Sequence, residues 1–400
     1  MRHVYLDNSA TTKPCSEAIA AINDALTVTY GNPSSLHGYG SAAAELLLSS
    51  RNEIICSLFG ESVRNKLPRR AGMRGGEEYG KIIFTASGTE ADNLAVFGTL
   101  NTCRISSPEI ITTDSEHPAI LNAVEQLENK GVKVHKLSTK NGVIDLKQLK
   151  SFLSPKTALV SVMHVNNETG AVYDLKRIFD LVKSVSSDAV CHADCVQSYL
   201  KIPVDPIDLN ADMITLSAHK VHGVKGVGAL WVKADLIRKN RPSPIVFGGG
   251  QESAFRSGTE NLPGIAAFAA AVKAQGGANA HKAFGNATAP LRQKLISLLP
   301  EKASVNLPEG EYAPHILSVT LPIPKSQPML NQLSALGFYV SSGSACSSHK
   351  NTVSHVLKAF GLSDKSADAT VRISLSAENT EEEITAFAEA LTLGVKRLGK

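Results

Sequence analysis

Three short stretches in the middle of the chain carry residue types that could do chemistry together. The last of them, Ser217-Ala218-His219-Lys220, follows an apolar run, Met213–Leu216, that reads as a strand. A lysine at the C-terminal edge of a sheet loses its proton when partly desolvated, and its amine then forms imines with carbonyl compounds. Most lysines only solubilise a surface, and Lys225 in the following glycine-containing loop competes for the role. The second stretch, His192-Ala193-Asp194-Cys195-Val196-Gln197, puts a carboxylate at the end of another apolar run. A carboxylate there can pair with a protonated pyridine nitrogen and make the ring a better electron sink; it can equally cap the next helix. The third, Phe84-Thr85-Ala86-Ser87-Gly88-Thr89-Glu90, is a small-residue turn leading into a helix that begins near Thr89. The N–H groups and positive dipole end of such a helix suit a phosphate, although similar turns join strands to helices everywhere. None of the three is specific alone. Their order along the chain favours Lys220 over Lys225, and a phosphorylated pyridine cofactor held on it as a Schiff base.

These stretches meet only if strands bring them to one edge of a sheet. From about residue 80 to 235, short β-rich runs alternate with helical patterns. The runs are Lys81–Phe84, Glu109–Thr113, Val132–Leu137, Ala158–Val162, Ala189–Ala193, Met213–Leu216 and Ala229–Val232. Several are continuously apolar, as expected for strands covered on both faces. Helices are expected over Ala91–Leu100, Ala119–Lys130 and Leu175–Val185. The fold class is therefore α/β, with a mostly parallel seven-stranded sheet in a large domain over residues 16–260. A smaller α+β domain takes residues 1–15 and 261–400. It contains an alanine-rich helix, Leu262–Gln275, and a final amphipathic helix opened by the capping box Thr380–Glu383. A Gly/Arg-rich stretch from Arg64 to Gly80 reads as an exposed loop, either plain solvated surface or a docking site for a partner.

Composition narrows the function classes. With 41 basic and 37 acidic residues the net charge is +4, too even to argue for nucleic acid or an anionic membrane. No apolar run approaches the ~20 residues that span a bilayer. The beginning of the chain lacks the layout of a secretory signal. The six cysteines form no C-x-x-C pair, and Cys191 and Cys195 have no second pair at zinc-type spacing, so no metal site is expected. Scattered thiols fit a reducing cytoplasm.

The chain resembles the cysteine desulfurases, within the class V aminotransferase group of fold-type I pyridoxal-phosphate enzymes. The resemblance runs through Tyr5–Thr12, Tyr30–His37, Phe84–Asn93, Glu116-His117-Pro118, His164–Gly170, Ser217–Lys220, Arg256–Asn261 and Ser341–Cys346. It implies pyridoxal 5′-phosphate on Lys220. Gly88, Thr89, Ser217 and His219 would hold the phosphate, and Thr259 would reach the phosphate of a neighbouring subunit, which makes the protein a homodimer. His117 would stack on the ring and assist proton transfers, Asp194 would pair with the ring nitrogen, and Gln197 would bond the phenolic oxygen. Asn167 would lie against cofactor and substrate. Arg372 would bind the substrate carboxylate as a bidentate fork, with Asn32 adding a hydrogen bond; without the resemblance, Arg372 reads as a surface residue.

The same resemblance implies the reaction. L-Cysteine would become L-alanine, with Lys220 removing the Cα proton and Cys346 taking the sulfur as a persulfide. Cys346 sits among small polar residues, in a segment of about 341–352 that has little to bury and would be mobile. The sulfur would pass to an acceptor or scaffold protein serving iron–sulfur clusters, thio-cofactors or tRNA thiolation. The phosphate turn reads Ala-Ser-Gly where many relatives carry two glycines or Gly-Ala, and the short C-terminus puts scaffold binding in doubt. Rivals are a selenocysteine lyase, another class V aminotransferase, and a silent sulfur-relay subunit of the same fold.

Overall fold

The computed structural model describes residues 3–342 and 353–399. The seven apolar runs form one sheet whose order, edge to edge, is Lys81–Thr85, Gly228–Val232, Met213–Ser217, Val190–Asp194, Thr157–Met163, Glu109–Thr113 and Lys133–Leu137. The last five of these pair in parallel. Gly228–Val232 runs against both of its neighbours. That reversal matters for function: the chain leaves Met213–Ser217, makes a single 3-10 turn over Ala218–Lys220, and returns beside the strand it left.

Successive residues of each strand enter different cores, because side chains alternate across a sheet. Ile83, Val190, Met213 and Leu230 meet the helices Gly88–Asn101 and Pro118–Glu128 through Leu94, Ala95, Ile120 and Val124. Ile82, Cys191, Ile214 and Ala229 meet Ile54 and Ile55 on one side and Ile178, Phe179 and Val182 on the other. Coverage on both faces explains why these strands read as continuous apolar runs rather than alternating ones.

The helix Leu262–Ala274 was grouped above with the smaller domain, yet its Ile265, Phe268 and Val272 are buried in the large sheet's core. An alanine-rich helix has no wide polar face to turn to solvent, so it packs where apolar surface surrounds it. In packing, the large unit therefore extends beyond residue 260. The smaller unit gathers Leu291, Leu295, Leu317, Val371, Ile373, Ile384, Phe387 and Leu391 around a three-stranded antiparallel sheet, Ser304–Val305, Ile316–Thr320 and Thr370–Ser374. Val4 and Leu6 join this core, and Val4–Tyr5 pairs in parallel with Phe338–Tyr339. Both halves of the capping box at Thr380 and Glu383 are formed.

The Arg64–Gly80 stretch is partly ordered. It begins inside the turn Glu61–Lys66, contains the turn Glu77–Tyr79, and buries Leu67 in the core, while Arg69, Arg70, Met73 and Arg74 stay exposed. Among the described residues no helix is long and apolar enough to cross a membrane.

Candidate active site

A cavity of about 250 Å³ opens beyond the C-terminal ends of the parallel strands. Each strand end delivers part of its wall: Ser87, Gly88 and Thr89 after Lys81–Thr85, His117 after Glu109–Thr113, Val165 and Asn167 after Thr157–Met163. Asp194, Val196 and Gln197 come from the end of Val190–Asp194, and Ser217, His219 and Lys220 from the end of Met213–Ser217. The smaller unit contributes Arg372 from its edge strand Thr370–Ser374, and the N-terminal segment contributes Ser9 and Ala10.

The phosphate turn is built by the helix that follows it. Ser87 caps Gly88–Asn101, its Oγ accepting from Glu90 N at 3.1 Å, while Ala86 N donates to Glu90 Oε2 at 2.8 Å. Arg256 holds the same Glu90 at 2.7 Å. A side chain at Gly88 would meet Val196 Cγ2 at 3.1 Å and Ser217 Cβ at 3.4 Å, so glycine leaves the helix N-terminus open towards the cavity.

Lys220 reaches back to the N-terminal segment, its Nζ donating to Ser9 O at 2.6 Å and Ala10 O at 2.8 Å. Lys225 is exposed and lies outside the cavity wall, whereas Lys220 lines it. Asp194 accepts from Val196 N at 2.9 Å. Burial raises its carboxyl pKa to about 6, and the Val196 hydrogen bond and the charge of Lys220 only partly oppose that rise. His117 caps the helix Pro118–Glu128 through Nδ1, which accepts from Ala119 N at 3.2 Å and so assigns the ring proton to Nε2. Burial, then the charges of Lys220 and His355, lower its pKa to about 4, so the ring is neutral near pH 7. Burial and Lys220 likewise lower His219 to about 3.

Two residues differ from what was expected of them. Arg372 is no surface residue: it is 2 % exposed, and its Nη2 pairs with Asp7 Oδ1 at 2.7 Å while its Nη1 donates to Asn167 O at 3.0 Å. Both prongs of the fork are thus engaged within the chain, and Nε is buried without a partner. Gln197 donates through Nε2 to Ser9 O at 2.9 Å, which leaves Oε1 buried and unpartnered. As placed, its donor end is committed to Ser9.

Asn32 is exposed, accepts from Ser34 N, and is not part of the wall. Thr259 is also exposed and borders a different cavity, with Glu252, Arg256 and Asn261. Cys346 lies outside the described residues. The wall also contains groups that motif reading did not single out for a role. Asp92 is 2 % exposed and its carboxyl is pushed well up by burial and then by Asp194. Its Oδ1 lies 3.8 Å from Nε2 of His192, a ring held between Ser161 and Thr215 at 2.9 Å each. The one available sign was position, since Asp92 falls on the first turn and a half of the helix after the phosphate turn.

Comparison with known proteins follows the same outline. The family model described as aminotransferase class-V matches residues 4–387. A cysteine desulfurase of Trichormus azollae is 37 % identical over 404 residues, spanning 100 % of this chain and 94 % of its own length. A solved NifS-like protein superposes with a TM-score of 0.86 at 32 % identity, covering 99 % of this chain and 100 % of that one. SspA, solved in complex with cysteine, superposes with a TM-score of 0.76 at 29 % identity, covering 94 % of this chain and 100 % of that one. On a match of this length, with the strand-end cavity in place, the chain belongs to the class V aminotransferase family and, within it, to the cysteine desulfurases.

Proposed function

We propose that this protein takes the sulfur of L-cysteine, leaving L-alanine, with pyridoxal 5′-phosphate bound in the strand-end cavity and Cys346 as the sulfur acceptor. The observation that carries the reading is the convergence of Lys220, Asp194, His117 and the Ser87–Thr89 turn on one cavity of a cysteine desulfurase fold. The wall fits the cofactor: the helix N-terminus is uncovered at Gly88, and Gln197 Oε1 and Ser9 Oγ are buried without partners. Gly88, Thr89, Ser217 and His219 would hold its phosphate, Asp194 its ring nitrogen, Gln197 and Asn167 its edge, and Lys220 its aldehyde carbon. When bound, the cofactor supplies a carbonyl that condenses with an amine and a ring that accepts the electrons left at Cα.

The chain's own groups do the rest. Lys220, once exchanged for the substrate amine, accepts the Cα proton; its contacts with the Ser9 and Ala10 carbonyls keep Nζ in the cavity when it is not covalently engaged. Neutral His117 carries a proton on Nε2 with which to serve the substrate sulfur. Arg372 binds the substrate carboxylate by exchanging its Asp7 contact for a second carboxylate, so Asp7 acts as a place-holder. The Cys346 thiolate attacks the substrate sulfur: an S–S bond forms as the Cβ–S bond breaks, the electron pair stays on Cβ and takes up a proton, and the proton that Lys220 removed returns to Cα to give alanine.

The persulfide then passes to an acceptor protein for iron–sulfur cluster, thio-cofactor or thiolated-tRNA synthesis. The free thiols of Cys15, Cys56, Cys103, Cys191 and Cys195 support the cytoplasm as the compartment. A homodimer is supported by Thr259, exposed outside its own cavity, and by apolar surface at Tyr30, Leu36, Tyr39 and Phe247.

Alanine and sulfide release from L-cysteine tests the reading. Purified protein should show a visible absorbance band that cysteine perturbs and that Lys220→Ala lacks. Cys346→Ser should keep the band and lose at least about a hundredfold in alanine production, as nucleophile removal does elsewhere. Full-rate alanine release from Cys346→Ser would sink the assignment, an absent band would favour a silent relay subunit, and a strong preference for selenocysteine would make it a lyase.

A further inference from the structure

The turn that carries Gln197 also carries Lys201, which has no part in the reaction above. Lys201 is 5 % exposed, and its Nζ has no hydrogen-bond partner. Its neighbour Ile202 packs against Val165, Ala313 and Ile316, and the last two of these flank His315. His315 is 1 % exposed and neither of its ring nitrogens has a partner. The charge of Lys201 adds to burial in lowering the basicity of His315, while burial and then the charge of Lys220 lower that of Lys201 to about 7. Phe284 closes the surroundings, its ring edge-on to His315 at 5.3 Å between centroids. Arg292, on the same helix as Phe284, lies 4.0 Å over the Tyr312 ring and is itself 5 % exposed.

Native interiors rarely leave one buried polar side chain unpartnered, and two that sense each other point to a shared missing partner. An ammonium offers three donors and no acceptor, and an imidazole offers at least one donor. The missing partner must therefore accept hydrogen bonds. A negative charge on it would also let both groups stay protonated, where burial pushes each towards its neutral form and no carboxylate among the described residues pairs with either. Water meets the first condition only.

We propose that a small inorganic anion of the chloride class binds between Lys201 Nζ and the His315 ring. It would link the two lobes, because Lys201 follows the strand Val190–Asp194 of the large sheet and His315 immediately precedes the strand Ile316–Thr320 of the small one. It would also offset the charge of Lys220, which disfavours a protonated Lys201. The proposal does not depend on the reaction assigned above, and its test reads no activity.

Crystals of the cofactor-loaded protein grown in bromide, measured at the bromine edge, should show an anomalous peak within hydrogen-bond distance of Lys201 Nζ and His315. No peak, or density fitting only water, overturns the proposal. In solution, melting should be followed against chloride at constant ionic strength, with gluconate as the balancing anion. Chloride at ten times its dissociation constant should favour the folded state about tenfold in the wild type. That response should vanish in Lys201→Met and in His315→Asn, two variants offered so that one folding failure leaves the other. A chloride response of wild-type size in either folded variant overturns the site.

Discussion

Asp194 sits where catalysis and stability pull in opposite directions. Its buried carboxyl ionises only near pH 6, against 3.8 for an unperturbed aspartate. Between those values the folded protein keeps a proton that the unfolded chain has already lost. Stability of the cofactor-free protein therefore falls as pH rises through that window, by up to about 3 kcal/mol if the full shift is expressed. Asp194→Asn should stabilise the cofactor-free protein by about 1–3 kcal/mol at pH 7.5 and by almost nothing near pH 4, read from denaturant midpoints. The same variant should weaken cofactor binding, read by titrating cofactor into the cofactor-free protein, because an amide has no charge to pair with a pyridinium. Equal midpoints at pH 7.5 would show that burial of Asp194 carries no cost. Motif order pointed to Lys220 and Asp194 in the sequence, since both stand at the ends of apolar runs, and both line the strand-end cavity. It was not enough for Arg372: a polar residue in a strand tells nothing of its burial until Asp7, 365 positions away, is known to lie against it.

At the scale of elements, the phosphate turn depends on a residue far from it in sequence. Gly228 opens the returning strand, and a Cβ there would collide with the Ser87 carbonyl and lie 2.7 Å from Gly88 N. Backbone cannot yield as a flexible side chain can. Gly228→Ala should therefore displace the turn and weaken cofactor binding tenfold or more, measured by titrating cofactor into the cofactor-free protein. Ser87→Ala removes only the helix cap and should cost about 1 kcal/mol of stability in a melting experiment. The strands themselves were legible, and each matches its apolar run to within two residues, since continuous apolar runs have few other fates. The helix Leu262–Ala274 was legible as a helix but not as a member of the large core: an all-round apolar helix says that it is buried, and not in what.

For the whole molecule, the exposed apolar surface asks for a partner. Leu36 is fully exposed and Phe247 is 80 % exposed, and the tyrosines at 30 and 39, their rings close together, are exposed as well. If a second copy covers this surface, Phe247→Glu should shift sedimentation from dimer towards monomer, and a variant that stays dimeric would place the interface elsewhere. Composition could not reveal such a patch, because it depends on which apolar residues the fold leaves outside.

The N-terminal segment ties these scales together. Val4–Tyr5 needs Phe338–Tyr339 as its partner, Ser9 N needs Ser374 Oγ at 2.9 Å, and Lys220 needs the carbonyls of Ser9 and Ala10. Ser9 is thus placed by a residue 365 positions away before it can offer its carbonyl to Lys220. Closing a loop of that length costs entropy that only the packed small unit returns. Assembly of the centre is therefore a property of the whole tertiary structure, and loosening the small unit should disturb the lysine without touching the large sheet.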